Sequence, residues 1–301
     1  MMSSAAAGDF SWEIAFAAGA ACVLEADAPK PGNVNRYHDF DDVTLEDFHL
    51  SGLAIGRSLG CVASLGVGKT VLEAVRATRQ WTNTNTNLGI LLLLAPLAMA
   101  WSRIREGQTS ISAGELPGLW RKEIRWVLDS LTVADAAYVY QAIRLAAPGG
   151  LGEAPEHDVN RAPPSITLLE AMKAATKRDL IARQYAEGFS LVLGAGRNFY
   201  SAALKKGVPL PQAITETFVF LLAQNPDTLI SRKLGPQRSE EVSRFARQVR
   251  EGTLSIREFD RLLRAEKHAL NPGTTADLIA AIIFVRLLEE NIRKNTAKEV
   301  Y

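Results

Sequence analysis

Apolar positions along the chain return at three- and four-residue intervals, and two-residue alternation is nearly absent. The pattern predicts an all-α protein, a compact multi-helix bundle of about ten or more helices. Trp12, Phe16, Ala20, Val23 and Leu24 share one helical spacing, which predicts an amphipathic helix over residues 11–26. That helix must stop before Pro29-Lys30-Pro31-Gly32, because no helix interior tolerates this run. A polar, Asp-rich loop follows from Asn33 to Val43. Thr44 with Asp47 has the form of a capping box and opens a helix to about Leu65. Further helices are expected near 68–79, 87–106, 117–130 and 132–146. A long helical pattern over 166–205 carries breaks near Gly188 and at Gly194–Gly196. Helices near 209–224, 227–234, 237–251, 255–267 and 274–294 complete the pattern.

Helix breakers suggest the domain organisation. Gly149, Gly150, Gly152, Pro155, Pro163 and Pro164 make residues 147–165 the candidate internal linker. Residues 1–10 are expected to be a disordered N-terminus, and 11–295 a single all-α domain. Leu88 to Trp101 is the most apolar run. It falls short of the roughly 20 residues a bilayer span needs and contains Pro96, so a buried, kinked core helix is expected. The first residues lack a basic stretch and do not read as a signal peptide.

Composition changes this picture little. With 47% hydrophobic and 22% charged residues, the chain can bury a sizeable core. A net charge of +1 provides no broad basic field for nucleic acid or an anionic membrane, so neither is an expected partner. The two cysteines, Cys22 and Cys61, lie in apolar helical stretches and read as buried core thiols. Nothing suggests an oxidising compartment, and a cytoplasmic location is expected.

Candidate chemistry gathers where polar residues break the helical pattern. In the first loop, Lys30 and Arg36 are suited to phosphate oxygens. Gly32 would let backbone approach a ligand. Asp39, Asp41 and Asp42 can offer hard oxygens to magnesium. The alternation Thr82-Asn83-Thr84-Asn85-Thr86-Asn87 holds more amides than one helix cap needs. Asp227-Thr228 precedes Arg232 and Lys233, a carboxylate beside two cations. Asn271-Pro272-Gly273-Thr274-Thr275-Ala276-Asp277 opens the last apolar helix. Asp179 and Arg183, one turn apart, can pair on a helix surface. Each cluster also has a plain structural reading as cap, turn or surface pair. No P-loop, dinucleotide fingerprint, HExxH or GxSxG is present.

Taken together, these clusters resemble the triphosphoribosyl-dephospho-coenzyme A synthases. Glu25 followed by Pro29-Lys30-Pro31-Gly32 is similar to that family's PKPG signature. Asn85-Thr86-Asn87-Leu88-Gly89 stands where the family has NTHKG. Asp227-Thr228 resembles its DT motif, and Asn271 to Leu278 resembles its SPGGSADLL, all in family order. Asn87 and Leu88 replace the family's histidine and lysine, Thr274-Thr275 replaces a Gly-Ser pair, and Tyr37 to Phe40 stands near a GAHxDM-like stretch.

The resemblance implies an all-α enzyme that moves the 5-triphosphoribosyl group of ATP onto 3′-dephospho-coenzyme A or a related acceptor, releasing adenine. It implies ATP and the acceptor as small-molecule partners and magnesium as the cofactor, with a homodimer left open. Asp277 or Glu25 is expected as the base for the acceptor hydroxyl, and Asp227 and Asp39 as metal ligands. Lys30, Arg36, Arg232 and Lys233 are expected on phosphates, and Asn85 and Asn87 on base edges or ribose hydroxyls. Gly32, Asn33, Thr86, Arg183, Thr274 and Thr275 complete the expected substrate-binding set. Two alternatives stay open. One is a related ribosyl transferase or nucleotide N-glycosidase in another cofactor pathway. The other is a non-catalytic nucleotide-binding helical protein.

Overall fold

A computed structural model describes residues 10–107, 111–149, 159–160 and 163–298, the last six without their side chains. The expected disordered N-terminus lies outside the described residues except for Phe10, as does most of the candidate linker 147–165. The described residues contain no strand. Their only β-type pairing is an isolated bridge between Asn35 and His38.

The helices are α1 (Ser11–Asp27), α2 (Leu45–Ala54), α3 (Gly56–Gly60), α4 (Val62–Leu65), α5 (Val67–Thr78), α6 (Leu88–Glu106), α7 (Leu116–Asp129), α8 (Val133–Ala146), α9 (Leu168–Ala175), α10 (Leu180–Ala186), α11 (Arg197–Lys205), α12 (Leu210–Gln224), α13 (Thr228–Leu234), α14 (Pro236–Glu251), α15 (Ile256–Arg264) and α16 (Gly273–Lys298). A π-helical turn, Leu191–Gly196, leads into α11. Four helices begin with a reciprocal capping box, the one expected at Thr44/Asp47 and others at Thr132/Asp135, Thr167/Glu170 and Ser255/Glu258.

Two helices with long buried apolar runs, residues 88–101 in α6 and 278–285 in α16, form the middle. α6 packs against α5, α7 and α16, while α16 also packs against α1 and α12. α6 runs to Glu106, so at 19 residues it is long and apolar enough to cross a membrane, contrary to the expectation from its apolar run alone. It is nonetheless mostly buried inside the protein.

Three expectations need correcting. On α1 the aromatic positions face outward: Trp12 is 73% and Phe16 60% exposed. The buried face is Ile14, Ala17, Ala18, Ala21, Cys22 and Glu25. Small residues win this face because α2 and α3 come too close for large ones. A Cβ on Gly52 would lie 2.6 Å from Cys22 Cβ, and one on Gly60 would lie 2.6 Å from the Ser11 carbonyl oxygen. Second, the single helix expected up to Leu65 is three short ones, and Cys61 at the joint of α3 and α4 is exposed rather than buried. Third, the long pattern over 166–205 breaks after α9 and again at Gly188 and Phe189, both with positive φ, whereas Gly194–Gly196 stays helical within the π turn.

Candidate functional site

A cleft of about 700 Å³ opens where the end of α1, the start of α6 and the start of α16 meet. The capping and breaking residues of the sequence bring these helix ends together. Pro29 to Pro31 end α1, the Thr-Asn strip delays α6, and Asn271-Pro272 delays α16. Arg79 braces the strip. Its guanidinium donates to the carbonyls of Leu145 at 3.0 and 3.2 Å and of Ala146 at 3.0 Å, and also to that of Asn83.

Glu25, from the last turns of α1, and Asp277, from the start of α16, both line the cleft. Glu25 is buried and its carboxylate meets Lys30 Nζ at 2.9 Å. Burial raises the Glu25 pKa, and Lys30 opposes that rise. Asp277 makes no side-chain hydrogen bond or ion pair within the described residues. Burial pushes its carboxyl well above the usual range, Glu25 and Asp227 push it further, and Arg232 pulls it back. Gly89, in the first turn of α6, leaves the space that this carboxylate uses. A Cβ there would lie 2.0 Å from Asp277 Oδ2.

Basic side chains line the cleft from four places: Arg79 after α5, Arg178 after α9, Arg232 and Lys233 on α13, and the imidazole of His268 after α15. Arg232 is aimed by Asp179, whose Oδ2 lies 2.7 Å from Arg232 Nη1 while its Oδ1 accepts from the amides of Ile181 and Ala182. Lys233 has no carboxylate partner among the described residues. Burial lowers its pKa first, and neighbouring Arg232 lowers it further. The part of the cleft supplied by α8 and α9 is apolar, with Val139, Ile143, Leu168, Met172 and Ala175. Two polar atoms on the lining, Thr86 Oγ1 and Asn271 Oδ1, are buried without a partner among the described residues. Leaving such a group unsatisfied costs about 1–3 kcal/mol, a cost a bound molecule can remove.

The structure sorts the expected site residues into two sets. Glu25, Asn33, Asn85, Thr86, Asn87, Arg232, Lys233, Thr274 and Asp277 line this one cleft. Asn85 and Asn87 also have structural duties. Asn85 Oδ1 accepts from the Leu88 amide, and Asn87 Nδ2 donates to Thr78 Oγ1 at 2.9 Å and to the Ser51 carbonyl at 3.3 Å.

The other set does not line the cleft, and each member has a physical reason. Lys30 is fully buried behind Glu25, with Nζ donating to the Glu25 and Ala28 carbonyls as well as the carboxylate, so it has no reach to a phosphate. Gly32, at φ +74°, serves the docking of α15: its amide donates to Asp260 at 2.8 Å, and a Cβ would meet Leu263 at 2.8 Å. Arg36 turns to Asp27 at 2.6 Å. Arg183 does not pair with Asp179; Nη2 donates to Asn225 Oδ1 at 2.5 Å. Thr275 donates through its amide and hydroxyl to Asp227 Oδ2, at 2.7 and 2.8 Å.

The expected metal pair is not assembled either. Asp39 Oδ1 accepts from the Leu45 amide at 2.8 Å and anchors the entrance to α2. Asp227 is fully buried. Its Oδ1 caps α13 through the amides of Leu229 and Ile230, and its Oδ2 holds Thr275. No group of three or more His, Cys, Asp or Glu side chains among the described residues is placed to hold a metal ion. These two aspartates therefore do not fit a magnesium site. Sequence reasoning missed Arg79, Arg178, His268 and the apolar face of α8 and α9, whereas Asp42, named from sequence as an oxygen donor, does line the cleft. Only Arg178 carried a signal, as the neighbour of the Asp179 cluster.

Comparison with known proteins agrees with this architecture. Residues 11–296 match the family model described as ATP:dephospho-CoA triphosphoribosyl transferase. A "probable 2-(5′′-triphosphoribosyl)-3′-dephosphocoenzyme-A synthase" of Citrobacter koseri is 24% identical over 296 residues, covering 87% of this chain and 86% of that one. The crystal structure of a "putative triphosphoribosyl-dephospho-coA synthase" from Archaeoglobus fulgidus superposes with a TM-score of 0.61 at 28% identity, covering 79% of this chain and 97% of that chain.

Proposed function

The chain belongs to the ATP:dephospho-CoA triphosphoribosyl transferase family, and we propose that its cleft moves the 5-triphosphoribosyl group of ATP onto a ribose hydroxyl of 3′-dephospho-coenzyme A or a closely related acceptor. The observation that carries this reading is one cleft holding two carboxylates, the buried Glu25 and the half-buried Asp277, together with Arg178 and Lys233, which pair with no carboxylate among the described residues. Transfer at C1′ of a ribose builds positive charge on the sugar, which carboxylates stabilise, while a triphosphate needs cationic donors. Arg178, Arg232 and Lys233 are placed to hold the triphosphate, and Asp179 fixes the direction of Arg232. Thr86 and Asn271 offer unpartnered oxygens to a base or ribose. The apolar face of α8 and α9 suits the less polar part of a substrate. Magnesium enters this proposal as the counter-ion of the ATP triphosphate, and no step is assigned to an ion held by Asp39 and Asp227.

The test is adenine formation from magnesium-ATP by the purified protein, with and without dephospho-coenzyme A, read by chromatography and mass spectrometry. Adenine together with a triphosphoribosylated acceptor is the expected result. Adenine without acceptor product would make the chain a nucleotide N-glycosidase. Absence of adenine under both conditions would remove the transferase reading.

A further inference from the structure

The two carboxylates of the cleft have unequal surroundings. Glu25 has an ion-pair partner: Lys30 Nζ sits 2.9 Å from its carboxylate, with the Lys30 side chain fully buried and that of Glu25 nearly so at the wall of the cleft. Among the described residues Lys30 has no other carboxylate partner, so neutralising Glu25 would leave a buried, unpaired ammonium. Asp277 has no such partner. It stands against Gly89 of α6, with Glu25 and Asp227 adding like charge. Asp179, at the start of α10, adds more like charge, and Arg232 on α13, which pulls the other way, is itself already paired with Asp179. The start of α6 favours an anion here, but a helix end contributes less than burial beside a fixed charge can cost. When two neighbouring carboxyls differ in this way, the proton settles on the one without the cation.

Resting on the transferase reading above, we propose that the pair divides its labour: Asp277 is the general acid that protonates the departing adenine, Glu25 is the ionised base that accepts the proton of the acceptor hydroxyl, and Lys30 is the positioning residue that keeps Glu25 ionised. The C1′–N9 bond breaks and its electron pair goes to the adenine ring as Asp277 delivers its proton to a ring nitrogen. The acceptor oxygen forms the new bond to C1′ and its proton goes to Glu25. Passage of that proton from Glu25 to Asp277 restores the starting state, so no external acid, base or oxidant is consumed. This reading also gives Lys30 a role in the reaction without contact with a phosphate.

The experiment compares ATP with an N7-methylated ATP, whose base leaves without needing a proton. With wild-type protein, ATP turnover falls on the alkaline side as Asp277 loses its proton, and the methylated donor keeps its rate there. Both donors lose rate on the acid side, where Glu25 becomes protonated. Asp277→Asn lowers kcat with ATP by about 100- to 10,000-fold, the usual range for a lost general acid, and leaves the methylated donor within a few-fold of wild type. Glu25→Gln slows both donors. Lys30→Met moves the acid limb of kcat/KM to higher pH for both donors and leaves the alkaline limb in place. Thermal melts check the fold of each variant, and the wild-type profiles need no variant at all. If ATP and the methylated donor lose activity in parallel at high pH and in Asp277→Asn, the general-acid role is overturned while the transferase reading stands. If wild-type protein forms no adenine from ATP, the transferase reading itself fails, and the assigned roles fail with it.

Discussion

Gly89 shows most directly how one residue separates folding from chemistry. It sits in the first turn of α6, where alanine would favour the helix by about 1 kcal/mol. The same methyl group would stand 2.0 Å from Asp277 Oδ2 and 2.8 Å from Ile181 Cδ1, so the carboxylate would have to swing away. Gly89→Ala is therefore expected to keep its melting temperature within a few degrees of wild type and to lose about 100-fold in kcat/KM, equivalent to about 2.7 kcal/mol of transition-state stabilisation. Equal kinetics in the variant would mean that Asp277 takes no part in the reaction. Residue identity also misled in the other direction. Lys30, Arg36 and Arg183 have the chemistry of phosphate ligands, yet each is taken up by a partner on its own side of the fold: Glu25, Asp27 and Asn225.

Asp227 belongs to the scale of elements, because its two oxygens join two helix starts. Oδ1 takes the first free amides of α13, and Oδ2 takes the amide and hydroxyl of Thr275 in α16. Thr274 adds to the same junction, its hydroxyl accepting from the Leu229 amide at 3.1 Å. The junction fixes where Arg232 and Lys233 stand relative to Asp277. Asp227→Ala would take the carboxylate from three donors, the Ile230 amide and the Thr275 amide and hydroxyl, and leave the Leu229 amide only Thr274, so a loss of about 3 kcal/mol in unfolding free energy is expected. Urea unfolding measures it. A metal chelator should leave the wild-type transition where it is; a chelator effect matching the substitution would restore Asp227 as a metal ligand. From sequence, an Asp before a short helix next to Arg and Lys reads equally well as a cap or a metal ligand. The fold decides for the cap because the carboxylate points inward to amides rather than outward to the cleft.

For the molecule as a whole, keeping an uncompensated carboxyl in the cleft costs stability in a pH-dependent way. Asp277 holds its proton in the folded chain at pH values where the unfolded chain has released it. Between the ordinary aspartate range and the raised native value, the folded state binds more protons, so stability falls as pH rises. Asp277→Asn removes that titration. The variant should gain stability over wild type as pH is raised from acid to neutral, with denaturant midpoints measured across that range. An advantage that stayed constant with pH would contradict the raised native value. Burial pushes Glu25 and Asp227 in the same direction, but they remain in both proteins and drop out of the difference in so far as they titrate independently of Asp277.

Much of the architecture was legible before any coordinates. Helical periodicity, the Thr44 capping box and the breakers at Pro29–Gly32 and Asn271–Gly273 are local signals, and local chemistry acts on neighbours in sequence whatever the rest of the chain does. For the same reason the positions of the polar clusters, at helix ends, could be read directly, and family order added their reaction. Which members of a cluster face the cleft was not legible, since that depends on groups far away in sequence. Asp260 and Leu263 turn Gly32 to α15, Thr275 claims Asp227, and Gly52 and Gly60 draw α1 in by its small face and leave Trp12 and Phe16 outside. Spacing along one helix sets a side chain's neighbours within a turn. Only the packing of distant helices decides whether it ends against another carboxylate, against a backbone amide or in an open cleft.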